Sequence, residues 1–445
     1  MKTKEQILLE TIENATLEEI IELSEELHPV DLLEALQAYE GNSKDLLDKF
    51  PDEYIAMVID EAELDEKYEI LSLFPQKQKQ EIISEMSSDE LADMLGTIDE
   101  ESQRNLLDGM KEDHREEMEE LLSYSPETAG GLMATEYIAV KESMSIDETL
   151  KFLRDISPNA ETPYYIYVTD DHKMLKGIVP IRSILISEPK ALVKDVMVQN
   201  VTTIPIDMDQ EEVSNLFQKY GYMAMPVVDR DQILMGVITL DDIIEVMSDE
   251  HTEDLYRLAG LDEEEEVDGT ILDSIKSRLP WLIVNLGTAM LASTVVRLFD
   301  DTIGKVVALA VFMPIVAGMG GNAGTQTLTL IVRGIALGEI DFENKKEILK
   351  KESLVGLIHG VILGLIVALI AGLWEHNFVF GFVIGAAMLL NMVIAALAGF
   401  FIPLLLKKLN IDPALASSVF VTTMTDVLGF SIFLGLATVL IRYLI

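Results

Sequence analysis

Pro314-Ile-Val-Ala-Gly318-Met-Gly320-Gly321-Asn322-Ala-Gly324-Thr325-Gln326 is the stretch on which the reading of this chain turns. It sits in the apolar second half, where an ordinary membrane span would carry leucines. Lipid gives no partner to an unpaired N–H or C=O, so a proline and glycine string at that depth is expected to break the helix and line a cavity or pore. Asp426 sharpens the reading, because Val419 to Leu440 is otherwise uncharged and largely apolar. A carboxylate so placed costs about 2.5–3.5 kcal/mol on insertion scales and marks a functional site by default. Together they imply a cation path. Each feature alone has a plainer reading: Asp426 paired with Arg333 or capping a kink, and the glycines serving close helix packing.

Working outward, apolar segments lie at about 281–299, 304–333, 354–373, 378–406 and 413–441. Each is near or above the roughly 20 residues that a bilayer requires, which predicts five spans. Lys276, Arg278, Lys345, Lys346, Lys350, Lys351, Lys407 and Lys408 fall on one side of these spans. The positive-inside rule therefore puts the N-terminus in the cytoplasm and the C-terminus outside, in a multi-pass protein of the cell membrane; Arg297 and Arg442 dissent. Met1 to Glu10 lacks a basic region followed by an apolar run, so the segment before the spans is expected to stay inside. His359 lies alone in the third span and no nucleophile and base pair is evident, so no enzymatic activity is expected.

The 445 residues carry a net charge of −44, and the charge is unevenly placed. Residues 276–445 hold 12 Lys+Arg against 10 Asp+Glu, which leaves 21 against 67 in residues 1–275. Such a field repels nucleic acid and attracts cations, divalent ones above all. With no cysteine, disulfides and thiolate metal sites are excluded, and the available ligands are hard oxygens.

Residues 1–125 read as an acidic α-helical repeat. His28-Pro29, Phe50-Pro51, Phe74-Pro75 and Ile98-Asp99 recur at near-constant spacing, with Met86-Ser87 as a half-step. Proline or an N-capping residue at each restart is a helix-start signal, and short helices at fixed period stack into a solenoid. Its role is either scaffold or ion-sensing surface. Asp89 and Asp93 share a helix face, as do Asp242 with Glu245, and Glu250 with Glu253 and Asp254. These faces repel one another, and a bridging divalent cation would draw them together.

Residues 134–255 form two weakly similar halves. Tyr222-Met-Ala-Met-Pro-Val-Val-Asp229 and Gly236-Val-Ile-Thr239-Leu-Asp-Asp242 are matched by Tyr164-Tyr-Ile-Tyr-Val-Thr-Asp170 and Gly177-Ile-Val-Pro180. The pattern resembles tandem cystathionine β-synthase (CBS) domains, in which a strand ends in Gly-x-x-Thr-x-x-Asp and the Thr and Asp can hold a nucleotide's phosphate and ribose. Thr239 and Asp242 fit that pattern. Pro180 and Ser183 replace them in the first half, so at most one adenosine (ATP) site is implied. The alternative is a turn and helix cap.

In this order the whole chain resembles the MgtE family of magnesium channels. The carriers are the acidic helical repeat, the CBS pair reached through Tyr124-Ser-Pro-Glu-Thr-Ala-Gly-Gly-Leu-Met133, the glycine string, Asp412-Pro413-Ala-Leu-Ala and Thr425-Asp426-Val-Leu-Gly429. The resemblance implies a homodimer with three parts: helical repeat, α/β CBS pair and a five-helix transmembrane domain at 280–445. A connecting helix would occupy 256–279, with Glu263, Glu264, Glu265 and Glu266 carrying motion to span 1. It further implies that Mg2+ enters the cell past Asp426 as principal pore ligand, with Gly318, Gly321 and Asn322 beside it. Pro314, Gly320, Gly324, Gln326, Ser418 and Thr422 would line the path, with Thr325 in the same polar stretch. Cytosolic Mg2+ at Asp89, Asp93, Asp242, Glu245, Glu250, Glu253 and Asp254 would close it. A membrane-anchored cation or nucleotide sensor without conduction is the competing reading, and Co2+, Ni2+ and Mn2+ stand beside Mg2+ as candidate ions.

Overall fold

Prolines and short polar side chains set the rhythm of the first part of the chain. The computed structural model describes residues 3–39, 41–156, 165–261, 265, 267, 269–340, 344–415 and 417–445. Tyr164, Glu263, Glu264 and Glu266, singled out in the sequence, lie outside the described residues. Two compact units result, Met1–Val246 and Met247–Ile445.

In the first unit, short helices begin where the sequence marks them. His28 N-caps Pro29–Gln37, Pro51 precedes Asp52–Asp60, Pro75 precedes Gln76–Ile83, and Asp99 N-caps Glu100–Leu107 by accepting from the amides of Glu101 and Ser102. Each proline fixes φ and ends the preceding helix, while each capping oxygen satisfies an orphan N–H. Helix Pro29–Gln37 packs on both Lys4–Asn14 and Asp52–Asp60, and Asp52–Asp60 packs on Gln76–Ile83. This next-but-one stacking buries Leu32, Ile55, Ile59 and Ile82, whereas the flanking Leu17 and Ile21 stay exposed.

The same unit contains two three-stranded sheets built alike. β1 (Ala139–Lys141) pairs parallel with β2 (Tyr165–Thr169), which pairs antiparallel with β3 (Leu175–Pro180). β4 (Ile204–Pro205), β5 (Ala224–Val228) and β6 (Leu234–Thr239) repeat that arrangement. Gly177 and Gly236 hold equivalent registers, opposite Val168 and Val227. A Cβ at either would stand 2.7 Å from a backbone oxygen, that of Val198 or of Ala134. Close backbone approach therefore requires glycine at both places.

In the second unit, five helices among the described residues are long and apolar enough to cross a membrane. They are span 1 (Ile271–Arg297), span 2 (Ala308–Ala336), span 3 (Lys345–Trp374), span 4 (Phe378–Lys408) and span 5 (Ser417–Val439). Span 4 is the hub: spans 2, 3 and 5 all pack against it, and it contributes Val383, Ile384, Ala387 and Met388 to the largest core of this unit.

Two expectations are corrected here. Span 2 is not broken: helix runs through Pro314 and every glycine of the string. Proline removes a single N–H donor and neighbouring helices hold the rest of the turn, so it is tolerated inside a membrane helix. Nor is 256–279 one connecting helix. Helix Leu240–Ala259 ends at Gly260, whose φ of 75° leaves the helical region, and span 1 begins at Ile271, capped by Thr270.

Candidate functional site

Helical geometry separates the residues of the glycine string into two faces. Phe312, Val316, Gly320, Gly324, Leu328 and Ile331 are buried against the bundle. Pro314, Gly318, Asn322, Thr325 and Gln326 are exposed on the other side, and Gly321 lies between. The two faces use glycine differently. A Cβ at Gly320 would stand 2.2 Å from Asn391 Nδ2, and one at Gly324 would stand 2.5 Å from Val421 Cγ1, so these two are packing glycines. A Cβ at Gly318 would meet nothing within 4 Å, and at Gly321 only Thr422 Cγ2 at 3.7 Å. Glycine there is not demanded by packing inside this chain.

On span 5, Ser418, Thr422 and Asp426 recur at one-turn spacing and share a stripe. The Thr422 hydroxyl is satisfied locally, donating to Ser418 O at 2.9 Å and to Val419 O at 3.1 Å. Asp426 is partly buried and makes no hydrogen bond or ion pair among the described residues, so the pairing with Arg333 is not formed. The 3.7 Å approach of the Gly321 seat to Thr422 brings spans 2 and 5 together beside it. Among the described residues no group of three or more potential metal-ligating side chains is preassembled, here or elsewhere.

Sequence reasoning missed Glu352 in span 3. It is only 4% exposed and accepts from Thr327 Oγ1 at 3.3 Å. Its signal was one acid beside Lys350 and Lys351, easily read as part of a charged end.

In the first unit Asp93 lies within electrostatic reach of Asp242 and Glu245, without the three forming a ready-made ligand cluster. Burial first, then the charge of Glu90, raises the Asp93 carboxyl to about 7, with Glu245 and Asp242 acting in the same direction. Asp89 is itself buried, and its Oδ1 accepts from the amide of Glu90 at 2.9 Å. The counterion was not foreseen: Lys67, 4% exposed, ion-pairs with Glu90 and donates to Asp60 O at 2.6 Å. One lysine in so acidic a stretch carried no periodic signal.

Asp242 Oδ2 accepts from Thr239 N at 3.1 Å and Thr239 Oγ1 at 2.6 Å, capping helix Leu240–Ala259. Burial raises its carboxyl as well. Further along that helix Glu253 ion-pairs with Arg257, which also reaches Asp412, and Asp254 is raised by burial and by Asp412. Glu253 and Asp254 thus adjoin a cation of the chain itself, which the reading of a purely acidic face omitted.

Comparison with known proteins agrees with this architecture. The family model MgtE, a divalent cation transporter, matches residues 313–436; the MgtE intracellular N domain matches 27–127; and the CBS domain matches 129–188 and 193–249. The chain is 36% identical over 74% of its length to the magnesium transporter MgtE of Enterococcus faecalis, covering 72% of that protein. It is likewise 36% identical over 74% of its length to the one from Thermus thermophilus, covering 73% of that protein. Among solved structures, the soluble part of a magnesium transporter aligns with TM-score 0.52 at 28% identity over 55% of this chain and 97% of that one. The cytosolic domain of the Mg2+ channel MgtE in complex with ATP aligns with TM-score 0.50 at 36% identity over 54% of this chain and 98% of that one. The chain belongs to the MgtE family of divalent cation transporters, which are transporters and not enzymes.

Proposed function

We propose that the chain is a magnesium channel working as a homodimer, which passes Mg2+ inward and closes when Mg2+ binds its acidic cytosolic part. The observation that carries this reading is Asp426, a carboxylate in a membrane helix with no partner among the described residues, beside an exposed polar stripe on span 2. Lipid is a poor neighbour for Asn322, Thr325 and Gln326, whereas a second copy enclosing water solvates them. Two copies supply two Asp426 carboxylates. Mg2+ gives up water reluctantly, so a wide path that contacts the hydrated ion through carboxylate, amide and hydroxyl groups suits it. Because span 2 stays helical, its carbonyls are engaged within the helix, except that Pro314 leaves Ala310 O without its amide donor. Gly318 and Gly321 then serve as bare surface rather than as exposed carbonyls, and Ser418 and Thr422 complete the lining. The relatives' magnesium transport supports the choice of ion.

Closure is assigned to Asp89, Asp93, Asp242 and Glu245, with Glu250, Glu253 and Asp254 on the same helix further on. Mg2+ there offsets the burial and the neighbouring like charge that raise Asp93, and favours the compact form by binding it better. ATP is assigned to the second CBS half at Thr239 and Asp242. The N-terminus is placed in the cytosol, the C-terminus outside, and lipid around exposed Leu282, Leu365 and Phe382.

The test is Mg2+ uptake into proteoliposomes holding the full chain, at low and high internal Mg2+. Uptake lost in both Asp426→Ala and Asp426→Asn, with the dimer intact, supports the path. Near-normal uptake in both removes Asp426 from it. Deleting residues 1–125 should leave flux open at internal Mg2+ that closes the full chain, and identical inhibition curves make the repeat a scaffold.

A further inference from the structure

Asn391 is wholly buried in the middle of span 4, an amide in the most apolar part of the bundle. Its Nδ2 donates to Val316 O of span 2 at 2.9 Å, which fixes the orientation of the amide because a carbonyl can only accept. Its Oδ1 is buried without a hydrogen-bond partner. Two glycines from different helices form the seat of this side chain. A Cβ at Gly320 of span 2 would stand 2.2 Å from Nδ2, and one at Gly429 of span 5 would stand 2.8 Å from Nδ2 and 2.9 Å from Oδ1. The Gly429 hydrogen in that direction offers Oδ1 a weak C–H···O contact. One amide therefore touches both helices that carry the proposed path, from behind it: Gly320 adjoins Gly321 in sequence, and Gly429 lies one turn beyond Asp426.

We propose that Asn391 is a positioning residue for ion passage, setting the separation of spans 2 and 5 and hence the distance of Asp426 from the Gly318–Asn322 face. The inference rests on the channel reading above. A buried amide is costly in a membrane bundle unless bonded, and an apolar side chain of the same branching fills the seat without that cost. Stability alone therefore gives no reason for asparagine. Geometry does: hydrogen bond and glycine seats together admit one spacing of the two helices, where an apolar contact admits several.

The test uses the full chain in proteoliposomes, with Mg2+ and Ca2+ uptake measured in the same preparation and thermal unfolding in detergent followed separately. Asn391→Leu keeps the branching and removes the donor. The expected result is a folded protein whose preference for Mg2+ over the larger Ca2+ falls about tenfold or more, the scale on which sub-ångström misplacement of positioned groups acts. Asn391→Asp, whose protonated carboxyl can donate O–H to Val316 O, should recover much of the preference. A folded Asn391→Leu protein with unchanged preference overturns the proposal and leaves Asn391 as packing. If that variant does not fold, Gly429→Ala, which crowds the same amide from span 5, is read in the same assay, and unchanged preference there overturns the proposal equally. Absence of uptake by the unsubstituted chain overturns the channel reading itself and this inference with it.

Discussion

Arg257 donates to Asp412 at 2.5 Å across 155 residues of sequence, tying helix Leu240–Ala259 to the turn that opens span 5. Both side chains are partly exposed, 24% and 31%, and Arg257 also pairs with Glu253. Leu258, beside the arginine, packs with Leu328, Val332, Ala414 and Val421, so the ion pair sits over a small apolar contact joining this helix to spans 2 and 5.

Removing Arg257 leaves Asp412 and Glu253 facing each other near Asp254. Arg257→Ala should lower stability by about 1 kcal/mol, a charge-assisted bond discounted for exposure. It should also shift the internal Mg2+ that half-closes uptake in the proposed channel, since the helix then loses its ion pair to Asp412 and keeps the Leu258 contact. A double-mutant cycle with Asp412→Ala measures the coupling. Additive effects would show that the two residues act separately.

The Asp93 carboxyl titrates near 7 when folded, above its ordinary value of 3.8. The folded state therefore binds the proton more tightly than the unfolded one, so stability falls as pH rises between about 4 and 7. Residues 1–260 should unfold at higher urea at pH 5 than at pH 8, the difference being on the order of a few kcal/mol. Asp93→Asn should flatten the profile. If Mg2+ takes the same carboxylate as the proton, added Mg2+ should stabilise more at pH 8 than at pH 6. A profile in the substituted protein as steep as the original would place the titration elsewhere.

Thr239 and Asp242 cap a helix, so Asp242→Ala should cost about 1 kcal/mol whether or not nucleotide binds. If the pair also holds ATP, millimolar ATP should raise the unfolding temperature of residues 1–260, and the substitution should erase that rise beyond its effect on the cap. No rise with ATP in the unsubstituted protein would leave the cap as the pair's whole role.

Spans 3 and 4 touch through backbone. A Cβ at Gly364 would stand 2.7 Å from Gly385 O, and a Cβ at Gly385 would stand 2.7 Å from Gly364 O. Gly364→Ala should destabilise the detergent-solubilised chain by about 1–3 kcal/mol through overpacking. Uptake per folded molecule should be unchanged, because this contact is away from the face that carries Asp426. A change in ion preference would bring span 3 into the path.

Local chemistry was enough for much of this molecule. Pro51, Pro75 and Asp99 announce helix starts because proline and capping carboxylates act on their own turn. Five spans follow from the length of apolar runs against the thickness of a bilayer. The matching segments around Gly177 and Gly236 expose the repeated half by their pattern alone. What the sequence could not decide is which partner each residue meets. The glycine string reads as broken helix, with close packing as the plainer alternative, and the choice fell to Asn391 and Val421, which come from other helices and fill the space that Gly320 and Gly324 leave. Asp93 gives no local hint of its titration near neutrality, since its burial comes with Glu90, Lys67 and a CBS helix approximately 150 residues away. Glu352 reads as part of a charged end until span 2 brings Thr327 to it. Spacing and hydropathy are properties of neighbours in sequence, and they determined the elements. Burial, ion pairing and helix separation are properties of neighbours in space, and only the packed chain decides them.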